Sequence, residues 1–105
     1  MSDKCIILIT CPDEKNAEEL AMVLLKKKLV ACVSLVPGIK SFYWWKKKIE
    51  KDLEVLMIIK TKRNFFKSVE KEVLKLHPYS VPEIICINIE EGFEKYLKWI
   101  NGVLR

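Results

Sequence analysis

From Val36 to Glu50 the sequence reads Val-Pro-Gly-Ile-Lys-Ser-Phe-Tyr-Trp-Trp-Lys-Lys-Lys-Ile-Glu, which places four aromatic residues, Phe42 to Trp45, in a row. A strand points successive side chains to opposite faces. Phe42 and Trp44 then share one face, and Tyr43 and Trp45 the other. Each ring carries about 150–250 Å² of surface, so the four together hold about 800 Å². At about 25 cal/mol per Å², covering them is worth at most on the order of 20 kcal/mol. Soluble monomers rarely leave so large a patch open. Either the helices of the same chain or another copy of it must cover these rings.

Outward from this stretch, Leu29 to Val36 is apolar at nearly every position and leads into it as one strand, with Pro37-Gly38 as a bend or bulge. Lys46 to Lys48 forms a reversal without the Asn-Gly or Asp-Gly of the favoured tight turn. Ile49 to Thr61 is the returning strand. Both strands exceed the usual ~5–6 residues, so the hairpin projects beyond a compact sheet, and its projecting part carries the aromatics.

The flanks complete the pattern. Cys5 to Cys11 is a short apolar run, read as a buried strand. Asp13 is placed to cap a helix from Glu14 to Lys28, with Ala17, Leu20, Ala21, Leu24 and Leu25 on one face. Asn64 is placed to cap a second helix, with Phe66, Val69, Val73 and Leu76 as its stripe and His77-Pro78 as its stop. Val81 to Ile89 is a fourth strand. A last helix follows Gly92, with Phe93, Tyr96, Leu97, Ile100 and Leu104 on one side. The order β-α-β-β-α-β-α predicts an α+β fold, a ferredoxin-like βαββαβ plait with an extra C-terminal helix. Two helices cover one sheet face. The other is also apolar, and the short third helix is too small to cover it all, which argues for association of subunits.

The 105 residues suit a single domain spanning 1–105. No apolar run nears the ~20 residues of a membrane span, and the five apolar residues Cys5 to Ile9 are too short for a secretory signal. The reading is a cytoplasmic protein without membrane association. Cys5, Cys11, Cys32 and Cys86 form no C-x-x-C pair and read as four reduced, buried thiols. The net charge of +5 is spread over lysines at helix and strand ends, which read as solvated faces. RNA-recognition modules share this element order and stack bases on aromatics of the first and third strands. Those strands here, Cys5 to Cys11 and Leu53 to Ile59, carry none, so no nucleic-acid partner is expected.

No Walker loop, dinucleotide glycine pattern or nucleophile elbow is present, and the single histidine, His77, has no activated serine beside it. The chain is read as a non-enzyme without an organic cofactor. Imidazole and thiolate suit soft or borderline metals such as copper. His77 joined by Cys11, Cys32 or Glu83 is therefore a candidate metal set, if folding or a neighbouring subunit gathers them. The alternative is a structural His in the His77-Pro78-Tyr79 turn.

Several segments in order along the chain resemble the CutA family of divalent-cation tolerance proteins. They are Ala31-Cys32-Val33, Ser41-Phe-Tyr-Trp-Trp45, Lys48-Ile-Glu50, Lys60-Thr61, His77-Pro-Tyr-Ser-Val-Pro-Glu83 and Tyr96-Leu-Lys-Trp99. The resemblance implies a homotrimer similar in assembly to the PII signalling proteins, with long hairpins extending each neighbour's sheet. It also implies a response to metal ions, copper or another divalent ion, and carries over His77 alone; Cys11 and Glu83 join His77 in the candidate metal set from the residues themselves. In bacterial relatives the copper-linked residues include a cysteine late in strand one and a His-His pair. Here Cys11 stands about two positions away, and Leu76 replaces the first histidine. The family's usual glycine after the Trp pair is Lys47, which implies a different turn. Cys32, Trp45, Glu50, Lys60 and Tyr79 match positions lining clefts between subunits. They read either as interface staples, including a Glu50–Lys60 ion pair, or as a small-ligand cleft. Two function classes follow: a metal-binding tolerance protein, and a PII-like signalling or scaffold protein holding a small anion or metabolite. A protein partner beyond the trimer is not named by the sequence.

Overall fold

The computed structural model describes residues 3–104; Met1, Ser2 and Arg105, the ends of the expected domain, lie outside the described residues. The elements are β1 (Lys4–Cys11), α1 (Glu14–Lys26), β2 (Cys32–Trp45), β3 (Lys48–Lys62), a 3-10 turn (Arg63–Phe65), α2 (Phe66–Leu76), β4 (Ile84–Asn88) and α3 (Glu94–Val103). The strands form one antiparallel sheet in the order β2-β3-β1-β4. The α+β class and the expected element order are both present.

Alternation along the strands builds the core. Cys5, Ile7 and Ile9 of β1 and Val55, Met57 and Ile59 of β3 point to one face. There they meet Ala17, Leu20 and Leu24 of α1 and Val69 and Val73 of α2. Asp13 caps α1, its Oδ1 accepting from the Asn16 amide at 2.8 Å. A second cluster of Ala31, Ile100 and Leu104 seats α3. Cys32 stands opposite Lys60 on the other sheet face. Away from α3 that face stays open: Ile85 and Ile87 of β4 and Val36 of β2 are exposed.

Four boundaries differ from expectation. Helix α1 stops at Lys26, and β2 begins at Cys32. Lys28 takes a left-handed φ of 58°, and the Leu29 amide donates back to the Leu24 carbonyl, so the residues after the helix close its end instead of pairing in the sheet. Asn64 is no cap. It lies in the 3-10 turn, and the capping position is Phe65, whose side chain makes no such hydrogen bond. Strand β4 is shorter than Val81 to Ile89, because Pro82 has no N–H to give a ladder.

The hairpin is as long as its sequence implies. At ~3.3 Å per residue, strands of this length span about 45–50 Å, which accounts for the 44 Å long dimension of the molecule. Pro37-Gly38 forms the expected bulge: Val36 pairs with Leu56, and the next pair is Ile39 with Glu54. One extra residue on β2 exchanges its faces. Beyond the bulge, Tyr43 and Trp45 lie opposite Glu50 and Lys48, while Phe42 and Trp44 lie opposite Lys51 and Ile49 on the reverse face.

The tip corrects the expectation of a different turn. Trp45 pairs directly with Lys48, leaving a two-residue loop, and Lys46 and Lys47 both hold positive φ, 50° and 67°. This is the backbone demand of a tight type I′ turn, met here without Asn or Gly. An L side chain at such φ costs roughly 1–2 kcal/mol. Replacing Lys46→Asn and Lys47→Gly is therefore expected to stabilise the protein by about 1–2 kcal/mol, read as a higher urea midpoint at unchanged slope.

Candidate functional site

The arm leaves the sheet where β1 ends, and the segment joining α2 to β4 crosses the same place. Between them lies a cleft of about 780 Å³ lined by Thr10, Tyr43, Trp45, Glu54, Tyr79 and Glu83, among others. Its geometry starts at His77. The His77 amide donates to the Val73 carbonyl and closes α2. Its ring is buried, with Nε2 at 2.8 Å from the Thr10 carbonyl and Nδ1 at 3.1 Å from the Tyr79 amide. A carbonyl only accepts and an amide N–H only donates, so Nε2 carries the proton and Nδ1 accepts. The imidazole is neutral and both nitrogens are engaged.

This ring sets the Tyr79 turn, with the two ring centres 4.8 Å apart. The Tyr79 hydroxyl then donates to Glu54 Oε2 at 2.7 Å. Burial first, and the Glu54 hydrogen bond second, push the Tyr79 phenol well above its ordinary range. Nearby, the Tyr43 hydroxyl donates to Asp52 Oδ2, and that bond raises its pKa to about 12. Tyr79→Phe would leave the nearly buried Glu54 carboxylate short of a charge-assisted partner. The expected cost is about 1.5–3 kcal/mol in urea unfolding, with the fold otherwise intact.

The expected cleft residues divide. Trp45 and Tyr79 meet in this cleft, as does Glu83, which had been grouped with the metal set. Cys32 and Lys60 face each other across β2 and β3 at the far end of the sheet. Glu50 lies on the arm opposite Tyr43. Glu50 and Lys60 are ten residues apart on one strand, about 33 Å, so an ion pair between them can form only between copies.

The set His77, Cys11 and Glu83 is not gathered within the chain. His77 has no free ring nitrogen. Cys11 is fully buried, its Sγ 3.5 Å from Met57 Sδ, and burial raises its thiol to about 11. Among the described residues, no group of three or more His, Cys, Asp or Glu side chains is placed to hold a metal ion. The cysteines also divide: Cys5 and Cys11 are buried as expected, while Cys32 and Cys86 are partly exposed.

Sequence reasoning missed Glu54, Asp52 and Tyr43 as a polar group. The signal was present in the alternation Glu50-x-Asp52-x-Glu54, which puts three carboxylates on one strand face.

Comparison with known proteins places these features in context. Residues 5–103 match the family model described as CutA1 divalent ion tolerance protein. Protein CutA of Mus musculus is 46% identical over 95 residues, covering 90% of this chain and 54% of its own length. The divalent-cation tolerance protein CutA of Thermus thermophilus is 41% identical over 96 residues, covering 91% and 93%. The chain thus spans about half the length of the mammalian relatives and nearly all of the bacterial one. The solved structure of the periplasmic divalent cation tolerance protein CutA from Archaeoglobus fulgidus superposes with a TM-score of 0.94 at 44% identity, covering 97% of this chain and 99% of that one. No helix among the described residues is long and apolar enough to cross a membrane.

Proposed function

The chain belongs to the CutA1 divalent ion tolerance family, and from that premise we propose that it is a homotrimeric metal-ion tolerance protein that binds a divalent cation, copper among them, rather than an enzyme. The observation that carries the assembly is the arm's bare apolar face. Phe42, Trp44, Ile49 and Leu53 are each about two-thirds exposed, on a strand pair that leaves its own core behind. A neighbouring copy is the cover that the sequence itself supplies, and the family resemblance gives the number three. All four cysteines are free thiols, which suits a reducing compartment, and the cytoplasm is the location proposed.

The cleft beside the arm favours a cation over the alternative small anion. Glu54, Glu83 and the nearby Asp52 give it negative sign, which attracts cations and repels anions. With both His77 nitrogens engaged, the ligand atoms that remain are carboxylate oxygens, although Oε2 of Glu54 already accepts from Tyr79 and Oδ2 of Asp52 from Tyr43. Calorimetric titration with Cu(II) and Zn(II) tests this. The unmodified protein is expected to bind below millimolar concentration, and Glu54→Gln with Glu83→Gln to weaken binding about tenfold or more. No binding of either ion below that concentration overturns the metal role. A metabolite anion that raises the melting temperature instead would select the PII-like reading, since a ligand of the native state must stabilise it.

A further inference from the structure

Two cysteines that the candidate site does not use stand together elsewhere. In the β1–β4 ladder, Cys5 faces Asn88 and Ile7 faces Cys86. Cys5 and Cys86 are therefore diagonal neighbours on the helix-facing side of the sheet. Cys5 is fully buried, Cys86 packs against the same core cluster, and both thiols are free. Their side chains leave adjacent strands on the same face of the sheet. Diagonal positions are about 7–8 Å apart at Cα, beyond the ~4.4–6.8 Å that a disulfide spans. The pair is thus close enough to share a bound atom and badly placed to oxidise to each other.

The chemistry of the pair selects the ion. Zn(II) in protein sites takes four ligands, and no third His, Cys, Asp or Glu joins the two thiols into a metal-holding group among the described residues. Soft thiolates select Cu(I), a closed-shell ion satisfied by two sulfurs on opposite sides. Two thiolates and one Cu(I) leave a single negative charge. Burial first, and Cys86 second, push the Cys5 thiol up to about 12 while Arg63 pulls the other way, so Cu(I) must displace the proton of a thiol that is not ionised beforehand. Arg63 is held by Nη1 donating to Asn88 Oδ1 at 2.8 Å. Access is through β4, a five-residue edge strand whose Cys86 is partly exposed; short edge elements open at low cost.

We propose that Cys5 and Cys86 form a two-thiolate site for Cu(I). Each thiol loses its proton to solvent and forms one S–Cu bond, and the oxidation state of copper does not change. The site deepens the metal-tolerance reading and rests on it only for its purpose in the cell; it requires neither the trimer nor His77.

Anaerobic titration of the full chain with Cu(I) supplied as its bicinchoninate complex tests the proposal. The chain is expected to withdraw one Cu(I), with an ultraviolet thiolate-to-copper charge-transfer band and a rise in melting temperature. Cys86→Ser, confirmed as folded by circular dichroism, is expected to weaken uptake about 100-fold, and Cys32→Ser to leave it unchanged. In the unmodified protein, bound Cu(I) is expected to shield Cys86 but not Cys32 from iodoacetamide, a readout that needs no variant to fold. No uptake, equal uptake by Cys86→Ser, loss in Cys32→Ser, or an unshielded Cys86 overturns the site. Divalent binding at the arm carboxylates without Cu(I) uptake overturns this pair alone and leaves the function above standing.

Discussion

Phe42→Glu combined with Trp44→Glu is expected to leave the protein as single chains of 12.3 kDa at micromolar concentration, by light scattering. The two rings share the arm face that is in register with Lys51 and Ile49, and neither belongs to the core clusters. Burying such a ring against a neighbour is worth about 3 kcal/mol. The change removes that gain twice per protomer and sets carboxylates in an apolar interface, where an unpaired charge is costly. The separated chains are expected to keep their helical and strand signal, since the buried residues are untouched. A variant that stays assembled would mean that the arm is not the contact.

Ile59→Ala is expected to act in the opposite way, on the fold itself. Ile59 is wholly buried toward the C-terminal end of β3, paired with Val33 on one side and Ile7 on the other. Removing a buried isoleucine side chain down to the first carbon costs about 2–5 kcal/mol, because the lost transfer energy adds to that of the cavity left behind. That is a large part of the ~5–15 kcal/mol stability of an ordinary domain. Ile49→Ala, on the same strand but about two-thirds exposed, should change monomer stability by no more than about 0.5 kcal/mol while weakening assembly. Urea unfolding of the two variants beside their masses separates the two roles of one strand. Equal losses of stability would contradict the division of β3 into a core half and an assembly half.

What could be read in advance follows from which interactions are local. The apolar run of β1, the α1 stripe and the Asp13 cap depend on neighbours in sequence, and they appear where expected. The long hairpin was legible because Pro37-Gly38 permits a bulge without ending the strand. Its tip was not, because the pairing of two long strands holds Lys46 and Lys47 in a conformation their own preferences disfavour. Asn64 failed as a cap for a related reason: a tight 3-10 turn precedes α2 and moves the helix start past it.

The site was legible in composition but not in connectivity. Trp45, Tyr79 and Glu83 were marked and do meet. His77 was marked for its chemistry, yet its partners, the Thr10 carbonyl and Tyr79 amide, are backbone groups that no side-chain pattern reveals. Glu54 needed the register of the bulged hairpin, because only the extra residue on β2 brings Tyr43 onto its face. The Cys5–Cys86 neighbourhood needed the β1–β4 pairing, which joins residues 81 positions apart in the chain.

The central claim is that another copy of the chain completes the arm and its cleft. Sedimentation equilibrium of the unmodified protein at micromolar concentration tests it most directly. The account predicts three times the 12.3 kDa chain mass, stable on dilution. A single-chain mass under the same conditions would contradict it, and would leave the exposed rings of the arm without the cover assigned to them.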